Sequence, residues 1–175
     1  MPTISDQYRL EQMALHENPD YGVSSVAFAP LVAQLIKQRG YNSISDYGAG
    51  KKRLQAALAQ HGVTDIEYLP YDPAFPEYGD AKSADLVCCI DVLEHVEPEY
   101  LPFVIDELRR LVTNAGFLTV HCSPAKKVLS DGRNAHLIQR PVTWWTTLLT
   151  QCFSVIYSEE FEGEATGAWY FVARK

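Results

Sequence analysis

The stretch from Ser43 to His61 limits the fold more than any other. A short strand, Ser43-Ile44-Ser45-Asp46, runs into the turn Tyr47-Gly48-Ala49-Gly50 and out again into a helix over Lys51–His61. Strand, tight turn and helix in direct succession open a βαβ unit, the building block of a parallel sheet. Glycines at such a turn let the backbone reverse sharply and approach a ligand without a Cβ in the way.

The rest of the chain repeats the alternation. A polar helix is expected over 5–16, ended by the turn-forming stretch Glu17-Asn18-Pro19-Asp20-Tyr21-Gly22. A second helix, Ser25–Gln38, carries Phe28, Leu31, Leu35 and Ile36 on one stripe and is stopped by Gly40. Further strands are expected at Ile66–Tyr71, Asp85–Ile90 and Phe117–Cys122. After Asp85 the segment Asp85–Ile90 is apolar throughout, as befits a strand covered by helices on both faces. Helices over Tyr100–Val112 and Val142–Gln151 complete the alternation. The chain closes with strands Phe153–Ser158 and Ala168–Ala173, an antiparallel hairpin joined by an acidic connection with two glycines.

With 175 residues and 47% hydrophobic content, the chain suits one domain with a full core. The 22 acidic and 15 basic residues, a formal charge of -7, disfavour an extended basic surface for duplex nucleic acid. Cys88, Cys89, Cys122 and Cys152 form no CxxC pair and sit in or beside apolar runs, as reduced core residues of a cytoplasmic protein do. No apolar run reaches the length of a membrane span, and charges at Asp6, Arg9 and Glu11 interrupt any secretory signal. Trp144, Trp145 and Trp169 stand in apolar segments and are expected to pack rather than bind.

The glycine turn fails two common ligand patterns. A dinucleotide fingerprint needs a third glycine where Arg53 stands, and a phosphate loop needs Ser or Thr after Lys51, where Lys52 stands. Asp46-Tyr47-Gly48-Ala49-Gly50 resembles instead the first motif of the class I S-adenosylmethionine-dependent methyltransferases, an acid followed by Gly-x-Gly between strand and helix. Asp72, 22 residues after Gly50, either opens an Asx-Pro turn or receives the ribose hydroxyls of an adenosine moiety. The passage Asp85-Leu86-Val87-Cys88-Cys89-Ile90-Asp91-Val92-Leu93-Glu94-His95 resembles the fourth-strand region of the same family.

The resemblance implies a Rossmann-like α/β fold in one methyltransferase domain spanning residues 1–175, with residues 1–40 as a helical cap. It implies S-adenosylmethionine as methyl donor, held by Asp46, Gly48, Ala49, Gly50, Asp72 and Asp91, with His16 and Tyr21-Gly22 near its carboxylate or the acceptor. Glu94 and His95 would then face the substrate. One departure is large. Only Pro73–Ala84 separates the second strand from the third, too short for the usual helix, strand and return, so an edge strand is lost and Phe75 or Tyr78 is left to cover the adenine.

The loop Leu129–Ile138 concentrates Asp131, Arg133, Asn134 and His136 just after the fourth strand, where open α/β sheets bind ligands. Asp131, Arg133 and Asn134 are expected to hold the substrate, with Glu94, His95 or His136 as general base. Asp91-x-x-Glu94-His95 also resembles the metal motif of methyltransferases acting on ubiquinone precursors and on RNA 3′ ends. On that resemblance Glu94, His95 and His136 would hold a divalent metal ion. The expected activity is methyl transfer to an oxygen or nitrogen of a small polar acceptor such as a sugar, nucleotide or metabolite. Its rivals are a non-catalytic binding or scaffold module and a 2′-O-methyltransferase of RNA ends.

Overall fold

The computed structural model describes residues 2–163 and 166–175. Among these, six strands share one sheet: β1 (Ser43–Tyr47), β2 (Glu67–Tyr71), β3 (Leu86–Cys89), β4 (Ala115–His121), β5 (Phe153–Phe161) and β6 (Gly167–Arg174). The spatial order is β2-β1-β3-β4-β6-β5. Strands β1 to β4 pair in parallel, while β6 runs antiparallel to both β4 and β5. The expected mostly parallel sheet with a closing hairpin is therefore the sheet observed. Residues 164 and 165 of the acidic connection lie outside the described residues.

The short link Pro73–Ala84 holds only a single 3-10 turn, Pro76–Tyr78, so β2 is the outermost strand on its side. Pro70 fits that position. It has no N–H to give to a further strand, and proline inside a sheet is tolerated at an edge.

The described residues form five α-helices, α1 (Asp6–His16), α2 (Ser24–Arg39), α3 (Arg53–Gln60), α4 (Leu101–Leu111) and α5 (Val142–Cys152), of which α2 to α5 cover the sheet. The period of two along a strand sends neighbouring side chains to opposite faces. Leu86 and Cys88 pack with α2 and α3, whereas Val87 and Cys89 pack with α4 and α5. This is why β3 is apolar at every position. Trp145 is a fully buried residue by which α5 packs on the core, and the four cysteines are free thiols.

In α2 the buried line is Ala29, Val32, Ala33 and Ile36, with Phe28, Leu31 and Leu35 only partly covered. The expected stripe is thus rotated, because two alanines let the helix approach the sheet closely while the larger residues pack at the flanks. Gly40 ends α2 in the left-handed region, at φ 67°.

Helix α1 belongs to neither layer. Only Tyr8 within it is buried, in a small cluster with Leu129 and Ala135 of the segment after β4. Polar tethers hold it down. Ser5, its N-cap, gives its backbone N–H and its hydroxyl to Glu97 at 2.8 and 2.7 Å, and Tyr8 Oη donates to the carbonyl of His95 at 2.8 Å. No described helix is long and apolar enough to cross a membrane.

Candidate active site

The chain leaves β1 for β2 on one side and returns to β3 on the other, so the carboxyl ends of β1 and β3 diverge. Open α/β sheets place their ligand crevice at that reversal. A cavity of about 490 Å³ opens there, within the size of small-molecule sites. Asp46, Gly48, Ala49, Gly50 and Asp72 line one end of it, and Asp91, His95, His121 and His136 the other.

The glycine turn is fastened to the end of β2. Gly48 and Ala49 donate their N–H groups to the Tyr71 carbonyl at 2.8 and 2.9 Å, and Gly50 donates to Asp72 Oδ2 at 2.9 Å. Gly48 and Gly50 adopt φ 85° and 48°, which side chains disfavour. Asp72 Oδ1 accepts from the Ala74 N–H at 2.8 Å, so the carboxylate makes an Asx turn and lines the cavity at once. Each oxygen keeps a further lone pair. Burial raises the Asp72 carboxyl above its ordinary value against the pull of these two amides. Burial also pushes Asp46 up to about 7, and the Tyr68 hydroxyl donates to it.

Phe75 and Tyr78 stack on each other with centroids 5.3 Å apart, and neither lines the cavity. Tyr78 Oη donates to the Gly50 carbonyl at 2.9 Å. Both aromatic rings thus brace the turn from outside, a correction to their expected place over a base. The residue lying on the turn is His16, whose Cε1 would be 2.9 Å from a Cβ at Gly50. Burial, then Lys51, lowers the His16 imidazole to about 4. His16 Nδ1 and Gln12 Nε2 are buried without a hydrogen-bond partner among the described residues, and both side chains line the cavity.

At the opposite end, Asp91 holds φ 59°, and its N–H is fixed by Thr119 Oγ1 at 3.0 Å. Ser24 Oγ donates to Asp91 Oδ2 at 2.6 Å. Oδ1 stands 3.3 Å from His121 Nδ1 without a formed hydrogen bond, and burial lowers the His121 imidazole. Burial works to raise the Asp91 carboxyl, yet His95, His121, the Ser24 hydroxyl and His136 together hold it below its ordinary value. Glu94 is completely buried. Its Oε1 accepts the His121 N–H at 2.5 Å, and its Oε2 has no partner. Burial, then the neighbouring Asp91, pushes the Glu94 carboxyl well up.

His95 and His136 are oriented alike. His95 Nδ1 lies 2.9 Å from the Ala135 carbonyl and His136 Nδ1 2.6 Å from the Ser123 carbonyl. A carbonyl only accepts, so Nδ1 carries the proton and Nε2 the lone pair in both rings. Their centroids are 4.7 Å apart. Burial lowers the His95 imidazole to about 4.

The structure places several of the expected residues away from the cavity. Asp131 and Arg133 pair with each other, Arg133 Nε to Asp131 Oδ2 at 2.7 Å, on an exposed turn that does not line the cavity. Asn134 is spent on the loop itself, accepting from the Ala125 and His136 N–H groups and donating to the Ala125 carbonyl. Their concentration in sequence reflects a self-contained turn. Glu94 is packed behind the cavity wall rather than on it. His95 stands outside the group of metal-ligating side chains that the fold gathers, which is Asp91, Glu94, His121 and His136. His121 and Ser24 went unnoticed in the sequence, although a histidine at the carboxyl end of a central strand is a signal in this kind of sheet.

No family model and no curated protein matches the sequence. Solved structures do. The 1,6-didemethyltoxoflavin-N1-methyltransferase of Burkholderia thailandensis, with bound 1,6-didemethyltoxoflavin and S-adenosylhomocysteine, matches over 100% of this chain and 92% of its own, at TM-score 0.68 and 14% identity. Magnesium protoporphyrin IX methyltransferase from Synechocystis PCC 6803, with bound S-adenosylhomocysteine, matches over 97% and 94%, at TM-score 0.59 and 16% identity. The mitomycin 7-O-methyltransferase matches over 97% of this chain and 60% of its own, at TM-score 0.64 and 17% identity. The chain is therefore built on the Rossmann-like α/β fold of the class I S-adenosylmethionine-dependent methyltransferases.

Proposed function

We propose that this protein is an S-adenosylmethionine-dependent methyltransferase acting on an oxygen or nitrogen of a small polar acceptor. The observation that carries this is the cavity at the β1/β3 reversal, with a glycine turn and the Asp72 carboxylate at one end and imidazoles at the other. When bound, S-adenosylmethionine would supply a methyl group on a sulfonium: a bond forms between an acceptor lone pair and the methyl carbon as the C–S bond in line with it breaks, and the uncharged thioether leaves.

The fit rests on this chain's own atoms. Asp72 has a lone pair on each oxygen for paired hydroxyls, and the Gly48–Gly50 turn presents backbone without side chains to the cavity. The unpartnered Gln12 Nε2 and His16 Nδ1 are what a roof looks like when part of its hydrogen bonding is meant for a ligand. In this proposal residues 3–25 form the cap, narrower than the expected 1–40, because α1, the loop after it and the start of α2 line the cavity while the rest of α2 packs on the sheet. All of it belongs to one catalytic domain.

At the other end His95 and His136 each leave Nε2 with its lone pair; that of His95, outside the metal-ligating group, is placed to take the proton of a hydroxyl or amine as it attacks, and that of His136 serves this role only where it holds no ion. Holding acceptor and donor in line supplies most of the acceleration. A divalent metal ion on this wall would add charge stabilisation, with Asp91, Glu94, His121 and His136 as the residues able to hold it. The neighbours' acceptors, a toxoflavin precursor, a porphyrin and a mitomycin, are small molecules and support the same class here.

Calorimetric titration with S-adenosylhomocysteine tests the reading. Micromolar binding that weakens about 10- to 100-fold in Asp72→Asn is expected. No heat with either S-adenosylhomocysteine or S-adenosylmethionine would refute it.

A further inference from the structure

We infer that Asp91, Glu94, His121 and His136 form a binding site for a first-row transition-metal dication, a site in which His95 takes no part. One ligating atom from each of the four lies within 4.8 Å of all the others. The four come from three places in the chain: Asp91 and Glu94 from the turn after β3, His121 from the end of β4 and His136 from the loop beyond it. Such convergence at the carboxyl ends of two adjacent central strands follows from the β3–β4 pairing.

The second observation is Glu94 Oε2. It belongs to a side chain with no exposed surface, it has no hydrogen-bond partner, and its sister oxygen is held by the His121 N–H at 2.5 Å. A buried carboxylate oxygen left bare beside a second carboxylate is costly unless a cation or a proton lies between them. Two carboxylates and two neutral imidazoles match the charge of one divalent ion.

The surroundings are arranged as they are around metal ligands. His136 gives Nδ1–H to the Ser123 carbonyl at 2.6 Å, which fixes the ring and leaves Nε2 as the donor atom. Ser24 Oγ fixes Asp91 through Oδ2 and leaves Oδ1 facing His121. Asp91, His121 and His136 reach the cavity wall and Glu94 sits behind it, so a position on the ion would open to the cavity. Magnesium and calcium favour all-oxygen shells, whereas a set of two imidazoles and two carboxylates suits manganese, iron, cobalt or zinc. The further consequence, which rests on the methyl-transfer reading, is an acceptor that presents an oxygen ligand, such as a phenol or alcohol hydroxyl, to the ion.

Cobalt(II) is the probe, because its visible absorption reports protein ligands without any turnover. Chelator-stripped full-length protein titrated with cobalt should develop a saturable visible band at one equivalent, displaced by zinc but not by an equal concentration of magnesium. His121→Ala and Glu94→Gln should each weaken cobalt binding by about 10-fold or more, while His95→Ala should leave it within about 2-fold. Circular dichroism verifies that each variant is folded; if Glu94→Gln is not, His121→Ala and His136→Ala decide. A folded wild type with no saturable band overturns the inference, as does a cobalt affinity lost in His95→Ala and kept in His121→Ala. S-adenosylhomocysteine titration of the same samples separates the two claims. Nucleoside binding without cobalt binding sinks the metal site alone, and cobalt binding without nucleoside binding sinks the methyl-transfer reading alone.

Discussion

The Gly50 N–H donates to Asp72 Oδ2 at 2.9 Å, tying the turn after β1 to the residue that follows β2. The other oxygen of the same carboxylate accepts the Ala74 N–H at 2.8 Å. One side chain therefore shapes the turn and presents lone pairs to the cavity. In Asp72→Asn one of these backbone N–H groups faces an NH₂ instead of an oxygen. Losing a charged hydrogen bond and stranding a buried donor costs about 1.5–3 kcal/mol. S-adenosylhomocysteine affinity, measured by calorimetry, should fall by about 10- to 100-fold. An unchanged affinity would detach Asp72 from the nucleoside.

Gly48 carries a different constraint. A Cβ there would lie 2.3 Å from Val92 Cγ2, and the backbone sits at φ 85°. Gly48→Ala combines overpacking of about 1–3 kcal/mol with a left-handed backbone cost of about 1 kcal/mol or more. Denaturant unfolding of Gly48→Ala and of Gly48→Ala/Val92→Ala separates the two terms. The double variant should regain the overpacking part and keep the backbone part. If removing Val92 Cγ atoms restores nothing, the close approach is not what demands glycine.

The sheet was legible because its causes are local or periodic. An apolar run at β3 follows from helices on both faces, and the short link Pro73–Ala84 leaves no room for a further strand beyond β2. The turn at Gly48–Gly50 and the carboxylate of Asp72 could be placed on one wall from strand order alone. The acceptor end was only half legible. His136 stood out in a polar loop, but so did Asp131 and Arg133, which lie two positions apart and satisfy each other. Composition cannot separate a loop that binds from a loop that binds itself. His121 was hidden because its partner atoms, on Glu94 and Asp91, are distant in sequence and meet it only through the β3–β4 pairing.

His16 and Asp46 give opposing pH dependences. Burial holds His16 near 4 against an ordinary 6.5, so the unfolded chain binds the extra proton and this group's contribution is complete above 6.5 and lost as pH falls towards 4. Asp46 is raised to about 7 from 3.8, so the folded state holds the extra proton and loses stability as pH rises through that window. The two slopes offset each other in the unliganded wild type. Thermal unfolding of His16→Gln between pH 4 and 7 should show melting temperature falling with pH more steeply than in wild type. Asp46→Asn should show it rising. Variants that run parallel to wild type would mean that neither group titrates as its burial requires.

The cap hangs on Ser5 and Glu97, 92 positions apart. Glu97 receives the Ser5 N–H at 2.8 Å and the Ser5 hydroxyl at 2.7 Å, and that hydroxyl in turn caps α1 by accepting the Tyr8 N–H at 3.1 Å. With only Tyr8 buried in α1, apolar packing does little to hold the helix, so these charge-assisted bonds decide whether it stays closed. Glu97→Ala should loosen the cap by about 1.5–3 kcal/mol, raising amide exchange across residues 6–16 by about 10- to 100-fold while α4 and β4 keep wild-type protection. The second tether, Glu11 to Ser130, is exposed, and Glu11→Ala should change the same exchange by no more than about 5-fold. Because the cap carries Gln12 and His16 over the cavity, S-adenosylhomocysteine binding should weaken with Glu97→Ala and stay near wild type with Glu11→Ala. Equal exchange in α1 for wild type and Glu97→Ala would show that the helix is anchored by something other than this carboxylate.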